Sequence, residues 1–302
     1  MDYKAEIKKL AKERDAVILA HNYQIDDIQE IADIVGDSLG LSIEASKTNN
    51  KVIVFCGVHF MAETAHMLAP EKTVLLPNLD AGCPMADMIT GAKLREFKAQ
   101  HPGATTICYV NSTAEVKAES DLCCTSGNAV NVIKSVDTDK IIFVPDKNLG
   151  HYVSRFTDKE IILYPGFCPI HNRLTPKQIE KMKAKYPDAE FVAHPECPPA
   201  VVDMADHICS TSGLYSYCKQ SSAKQFIIGT EVGVGYRLRK ENPDKEFLFA
   251  YDSFICKNMK KTTLKNVYDC LLNMSNEITV DAEVSRKAVT CIERMLAIPR
   301  NE

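Results

Sequence analysis

The chain has 302 residues, 45% hydrophobic and 25% charged, enough apolar side chains for large buried cores. Its 36 basic residues against 40 acidic ones leave a net charge of −4 with no basic stripe, which argues against a nucleic-acid partner. No run approaches the ~18 apolar residues of a membrane span, and MDYKAEIKKLAKERDA is a charged helix without an apolar signal core, so a cytoplasmic protein with no membrane partner is expected. Twelve cysteines in such a chain are expected to be reduced, serving as metal ligands, catalytic groups or small buried hydrophobes.

In chain order, the same series of elements is read three times. A charged amphipathic helix opens each copy: AEIKKLAKERD, AKLREFKAQHPG and PKQIEKMKAKYPD. A strand follows that is too apolar to be half exposed: VILA, TICYV and EFVA. A polar tripeptide ends it. Then come a second helix, an aspartate, a few apolar residues, and a Ser or Thr placed to cap the next helix. A second buried strand (VIVF, IIFV, FII), a glycine-containing loop, a third strand (TVLL, IILY, FLFA) and a cysteine loop complete the copy. The first copy spans 1–90, the second 91–174 and the third 175–262. A helical tail, 263–302, broken at Ile278-Thr279-Val280, is expected to pack on the first copy. Cys56, Cys108, Cys209, Cys270 and Cys291 sit in apolar runs and read as core residues, as do Cys123 and Cys124 near a helix start. GVHFMAETA, with His59 and Glu63, reads as a structural loop.

The copies agree residue for residue. His21, Tyr109 and His194 correspond, as do Tyr23, Asn111 and Glu196; Asp33, Asp121 and Asp206; and Ser38, Ser126 and Thr211, each at steps of 88 and then 85. Cys83, Cys168 and Cys256 follow at steps of 85 and 88. Alternating strands and helices imply parallel sheets covered by helices, an α/β fold. Three equivalent units around a pseudo-threefold axis bring equivalent loops to one point.

Ligands of open parallel sheets bind beyond the carboxyl ends of the strands, where the tripeptides sit. The first and third side chains of each tripeptide share a face, giving two imidazoles, two phenols, an amide and a carboxylate. Three convergent thiolates select zinc or an iron–sulfur cluster. A [4Fe–4S] cluster on three cysteines has one iron free to act as Lewis acid. The Ser38, Ser126 and Thr211 hydroxyls at helix starts suit a carboxylate or phosphate. Glu196, buried after Pro195, is expected to hold a raised pKa as acid or base, Tyr23 to donate a proton, and His21, His194 and Tyr109 to share the catalytic work. His171, three after Cys168, lines the site or orients the cysteine loop. The three aspartates read as structural, in helix or interdomain contacts.

The motifs HNYQ, GDSL, GVHFMAETA, AGCPM, YVNST, CCTSGN, PGFCPIH, HPEC and STSG together resemble the quinolinate synthase family over essentially the whole chain. The resemblance implies three pseudo-equivalent three-layer αβα domains around a central site. It implies condensation of iminoaspartate with dihydroxyacetone phosphate to quinolinate, with loss of phosphate and water, in NAD biosynthesis. It implies one [4Fe–4S] cluster per chain, held by Cys83, Cys168 and Cys256. The family's substrate-binding residues fall on His21, Ser38, Tyr109, Asn111, Ser126, His194, Glu196 and Thr211, and its catalytic tyrosine on Tyr23. A functional link to L-aspartate oxidase or aspartate dehydrogenase, which would supply iminoaspartate, is implied too. The CxxCxxC redox motif of some members is missing; Cys270 and Cys291 stand alone in sequence, so no dithiol switch of that type is expected. Two other readings stay open: a cluster hydro-lyase acting on another hydroxy acid, and a structural zinc on three cysteines.

Overall fold

Each copy of the repeat folds around its own four-stranded parallel sheet, in a computed structural model that describes residues 1–251 and 253–300. The first copy runs α1 (Tyr3–Glu13), β1 (Ala16–His21), α2 (Asp26–Ile31), β2 (Ile34–Gly36), α3 (Ser38–Lys47), β3 (Val52–Cys56), α4 (His59–Leu68) and β4 (Thr73–Leu75). The second runs α5 (Gly91–Ala99), β5 (Thr105–Tyr109), α6 (Ala114–Ala118), β6 (Leu122–Cys124), α7 (Ala129–Lys134), β7 (Lys140–Val144), α8 (Lys147–Ser154) and β8 (Glu160–Leu163). The third runs α9 (Pro176–Lys185), β9 (Glu190–Ala193), α10 (Pro199–Val202), β10 (His207–Ile208), α11 (Thr211–Gln220), β11 (Gln225–Gly229), α12 (Val234–Glu241) and β12 (Glu246–Phe249). The tail forms α13 (Leu264–Asn273) and α14 (Ala282–Leu296).

In every sheet the order is second, first, third, fourth strand, all parallel. β1 and β3 are buried along their whole length, as continuous apolar runs require of central parallel strands.

The sequence reading expected three strands per copy and a loop after the second. The structure has four strands, and that loop is a helix in each copy. The extra strands β2, β6 and β10 are only two or three residues long, too short for a periodic signal. Cys123 and Cys124 lie on β6 rather than at a helix start. In α4, Phe60, Met61, Ala62, Thr64, Ala65 and Met67 are all buried, so no polar face marks the helix.

The three aspartates share one structural task. Asp33 accepts from Ile18 N, Asp121 from Thr106 N and Asp206 from Phe191 N, each at 2.8 Å. Their own N–H groups return bonds to the carbonyls of those residues at 2.9 Å. Each aspartate therefore locks the entry of the short second strand onto the first, within a copy rather than between copies.

The tail corrects the expectation that it packs as a whole on the first copy. α13 lies against α1, with Val267, Cys270 and Leu271 joining the core of Ile7, Leu10 and Ala11. Main-chain bonds from Ile278 N to Val74 O and from Leu76 N to Asn276 O then cover the edge of β4. α14 bridges two copies, packing on α6 and β6 of the second and on α4 of the first. Beyond it, Arg300 returns to the first copy and grips Asp37 through two bonds of 2.7 and 2.8 Å.

Candidate active site

A cavity of about 700 Å³ opens where the three copies meet. Its wall carries His21 and Tyr23 from the end of β1, Tyr109 and Asn111 from the end of β5, and His194 and Glu196 from the end of β9. Ser38, Ser126, Thr211, His171, Cys83, Cys168 and Cys256 complete the candidate residues, and all of them line it.

The three cysteine loops have one design. Each cysteine stands three residues before the first residue of a one-turn 3₁₀ helix: Ala86–Met88, His171–Arg173 and Met259–Lys261. The carbonyls of Cys83, Cys168 and Cys256 accept the N–H four residues on. Main-chain N–H groups also point at each sulfur: Ala86 and Met85 at Cys83, His171 at Cys168, Met259 and Asn258 at Cys256. Burial pushes all three free thiols up, Cys83 to about 12, and these N–H groups work the other way by favouring thiolate.

Behind two of the loops stand buried carboxylates. Asp146 accepts from Cys168 N and from Asn148 N and Leu149 N, while Glu231 accepts from Cys256 N at 3.0 Å and pairs with Lys260 at 3.1 Å. Neither stands out as a site residue in sequence. The repeat held the signal: Asp146 and Glu231 are 85 apart, and Val58 occupies the third equivalent position.

The hydroxyl residues are freed rather than used as caps. Asp37 and Ser210 cap α3 and α11 through Gly40 N and Gly213 N. Ser38 and Thr211 are the first residues of those helices, and Ser126 lies in the turn ahead of α7. This corrects their assignment as caps.

A chain of hydrogen bonds crosses the polar wall. Tyr23 OH lies 2.8 Å from Thr230 Oγ1 and 3.0 Å from Thr211 Oγ1. Thr230 Oγ1 lies 2.9 Å from His171 Nε2, and His171 Nδ1 lies 2.9 Å from Glu196 Oε2. Tyr109 donates to Glu196 Oε1 at 2.5 Å. One set of proton positions satisfies the run: Nδ1–H to Glu196, Thr230 O–H to Nε2, Tyr23 O–H to Thr230. Thr230 was not foreseen; its repeat partners are Gly57 and Pro145, so it is the lone hydroxyl at that position.

His21 and His194 share another device. Nδ1 of each accepts the N–H two residues on, Tyr23 at 3.1 Å and Glu196 at 3.3 Å. That fixes the tautomer and leaves Nε2–H as a donor. Burial lowers both rings, His21 to about 4 and His194 to about 3, so both are neutral at pH 7. The unfolded chain, near 6.5, takes up protons that the folded chain refuses. Stability should be full above about pH 6.5 and fall towards pH 4 by ~1.4 kcal/mol per unit for each ring. Urea-unfolding midpoints at pH 7 and pH 5 test this, and the gap should shrink in His21→Gln and His194→Gln.

Glu196 departs from expectation. Burial pushes its carboxyl up, but His171, whose Nδ1 lies 2.9 Å away, and the Tyr109 hydroxyl more than offset this and hold it below the usual carboxylate range. It is an ionised acceptor, not a raised acid. Burial and the Glu196 charge push Tyr23 and Tyr109 well above 10, so both phenols keep their protons.

The profile of the family described as Quinolinate synthetase A protein matches residues 5–297. The chain belongs to the quinolinate synthetase A family. It is 59% identical over 298 residues to a quinolinate synthase of Geobacter sp. (strain M21), covering 99% of this chain and 98% of that one. A quinolinate synthase of Geotalea uraniireducens is 57% identical over 300 residues, 99% of each chain. One from Alkaliphilus metalliredigens is 55% identical over 294 residues, 97% of each. As a member of the quinolinate synthetase A family the chain is an enzyme, and membership implies an iron–sulfur cluster.

Two thiol groups in this quinolinate synthetase A chain bear on that cluster. Cys83, Cys168 and Cys256 border open volume and carry N–H donors aimed at sulfur, as bound thiolates need. Cys108, Cys123 and Cys291 are fully buried, with sulfurs 3.0, 3.3 and 3.9 Å apart. Sulfurs already in contact leave no room for several irons and their sulfides. The cavity thiols fit the group; the buried ones do not. Among the described residues no helix is long and apolar enough to cross a membrane.

Proposed function

We propose that this enzyme condenses iminoaspartate with dihydroxyacetone phosphate to quinolinate, in the cytoplasm, with a [4Fe–4S] cluster on Cys83, Cys168 and Cys256. The supporting observation is that one cavity collects three equivalent thiols, three freed hydroxyls and a continuous proton-carrying chain. When bound, the cluster supplies an iron without a protein ligand, a Lewis acid for a departing hydroxyl.

The chain's own side chains do the rest. Ser38, at the N-terminus of α3, and Ser126 donate their hydroxyls to substrate carboxylate or phosphate, and Thr211, whose hydroxyl lies 3.0 Å from Tyr23 OH, adds the N-terminus of α11. Nε2–H of His21 and of His194 donates to substrate oxygen. Asn111 Oδ1 is buried and has no partner among the described residues, so it takes an N–H of the nitrogen-bearing substrate. Tyr23 gives a proton to the reacting carbon skeleton. It is recharged through Thr230 by a His171 that carries a proton on both nitrogens: Nε2 passes its proton to Thr230 as Thr230 passes its own to Tyr23, Nδ1–H stays on Glu196, and the Glu196 carboxylate balances the charge of the ring. A dehydrogenase or oxidase acting on aspartate would supply iminoaspartate.

Anaerobic protein assayed for iron, sulfide and quinolinate tests the reading; a different product from the same cluster would point to another hydro-lyase. Alanine at Ser38, Ser126 or Thr211 should raise KM by about tenfold, the worth of one hydrogen bond to a charged group, and leave iron and sulfide unchanged. An unaltered KM and kcat in all three variants would remove them from the binding site.

A further inference from the structure

Cys108 and Cys123 face each other in register on neighbouring strands β5 and β6, and α14 brings Cys291 over both. The three sulfurs form a triangle with sides of 3.0, 3.3 and 3.9 Å, deep in the core of the second copy. Lys117 is buried in the same copy. Its Nζ donates to Ser112 O at 2.6 Å, lies 5.3 Å from the Phe60 ring centre, and acts electrostatically on Cys108 and Cys123. Among the described residues no carboxylate forms an ion pair with it. A buried cation without an anion is costly.

The repeat shows that this is a local departure. Cys108 replaces Ala20 and Ala193 of the other copies; Cys123 replaces Val35 and Ile208; Lys117 replaces Gln29 and Val202. Ordinary packing is met by alanine, valine and isoleucine twice over. The second copy alone has two thiols and a lysine here, and it alone is covered by α14 with a third thiol.

We infer that Cys108, Cys123 and Cys291 form a second thiolate site, separate from the cavity, for one thiophilic divalent ion of the zinc class, with Lys117 as its counter-charge. An ion with metal–sulfur bonds of about 2.3 Å fits just above the plane of this triangle. Three thiolates and a divalent ion carry one negative charge, which one lysine cancels. Three protons leave the thiols on binding, and no oxidant is needed. The ion would fasten α14 to β5 and β6.

Cadmium(II) is the probe, added anaerobically to the cluster-loaded full-length chain, with bound cadmium and iron counted after gel filtration. Wild type should hold one more cadmium than Cys291→Ala or Cys123→Ala, with the cadmium NMR shift of a three-sulfur site. Iron content and turnover should match in all three proteins. Lys117→Met keeps the thiols and should bind the ion about tenfold more weakly, the effect of one neighbouring charge. Circular dichroism verifies folding, and Cys291→Ser replaces any variant that fails. Equal cadmium in wild type and variants overturns the site. So does a wild-type chain two thiols short until reduced, which would mean a disulfide. Loss of iron in the variants would overturn it and the proposed cluster assignment together; equal cadmium with intact iron overturns this site alone.

Discussion

Replacing Cys83, Cys168 or Cys256 with alanine should strip the chain of bound iron and sulfide and reduce turnover to background. The three positions are equivalent in sequence, in the 3₁₀ turn that follows each, and in the N–H groups that meet each sulfur. Removing one thiolate leaves two ligands on one side of the cavity, and metal binding is steep in ligand number. The fold should survive, because all three side chains border open volume rather than filling a core. Cys197→Ala and Cys218→Ala provide the contrast. Both residues are buried in apolar clusters of the third copy, so their loss should cost packing and leave cluster loading unchanged. A full complement of iron in any of the three cavity variants would show that the thiols there were misassigned.

Tyr23→Phe should fold, load its cluster and bind substrate, yet turn over ~10² to 10⁴ times more slowly, the usual worth of a positioned proton transfer. The substitution removes one oxygen and its bonds to Thr211 and Thr230. The ring keeps its edge-on contact with His21, at 4.5 Å and 81°. Glu196→Gln should lose a similar factor for a different reason. The carboxylate accepts from both Tyr109 and His171, and an amide has a single oxygen for the two donors. The amide also removes the charge that balances a doubly protonated His171, so the proton that would reach Tyr23 through Thr230 is lost. Measured kcat with iron content determined on the same samples decides the matter. Turnover near wild type in both variants would reduce the two residues to substrate positioning.

The repeat made the architecture legible because it is written in side chains that change little between copies. Apolar strand cores, lock aspartates and loop cysteines recur at fixed steps, and the sheets repeat with them. What the repeat concealed was whatever is local to a few residues. β10 has two residues, and no periodicity survives at that length. α4 is buried on nearly all sides and lacks the polar stripe that reveals a helix. The cavity residues were found through their register, but their electrostatics were not. Glu196 was expected to be a raised acid because burial was the only neighbour visible in sequence. His171 and the phenol of Tyr109, distant along the chain, reverse that outcome. Thr230 was hidden for the same reason, its partners lying 59 and 207 residues away, and Cys291 lies 168 and 183 residues from the two thiols it meets.

The three tripeptides at the strand ends have a bearing on regiochemistry. A pocket with true threefold symmetry presents the same face to a guest in three orientations, and would bind an unsymmetrical molecule in three equal poses. Here the scaffold repeats while its inner substituents do not: His, Tyr, His in one ring of positions, and Tyr, Asn, Glu in the next. Only one rotation of the guest then brings a nitrogen to the amide, a proton acceptor to the phenol of Tyr23, and no negative group against Glu196. Each mismatched rotation strands a buried polar group, at about 1–3 kcal/mol apiece. Three such positions are enough to select a single pose for an unsymmetrical guest.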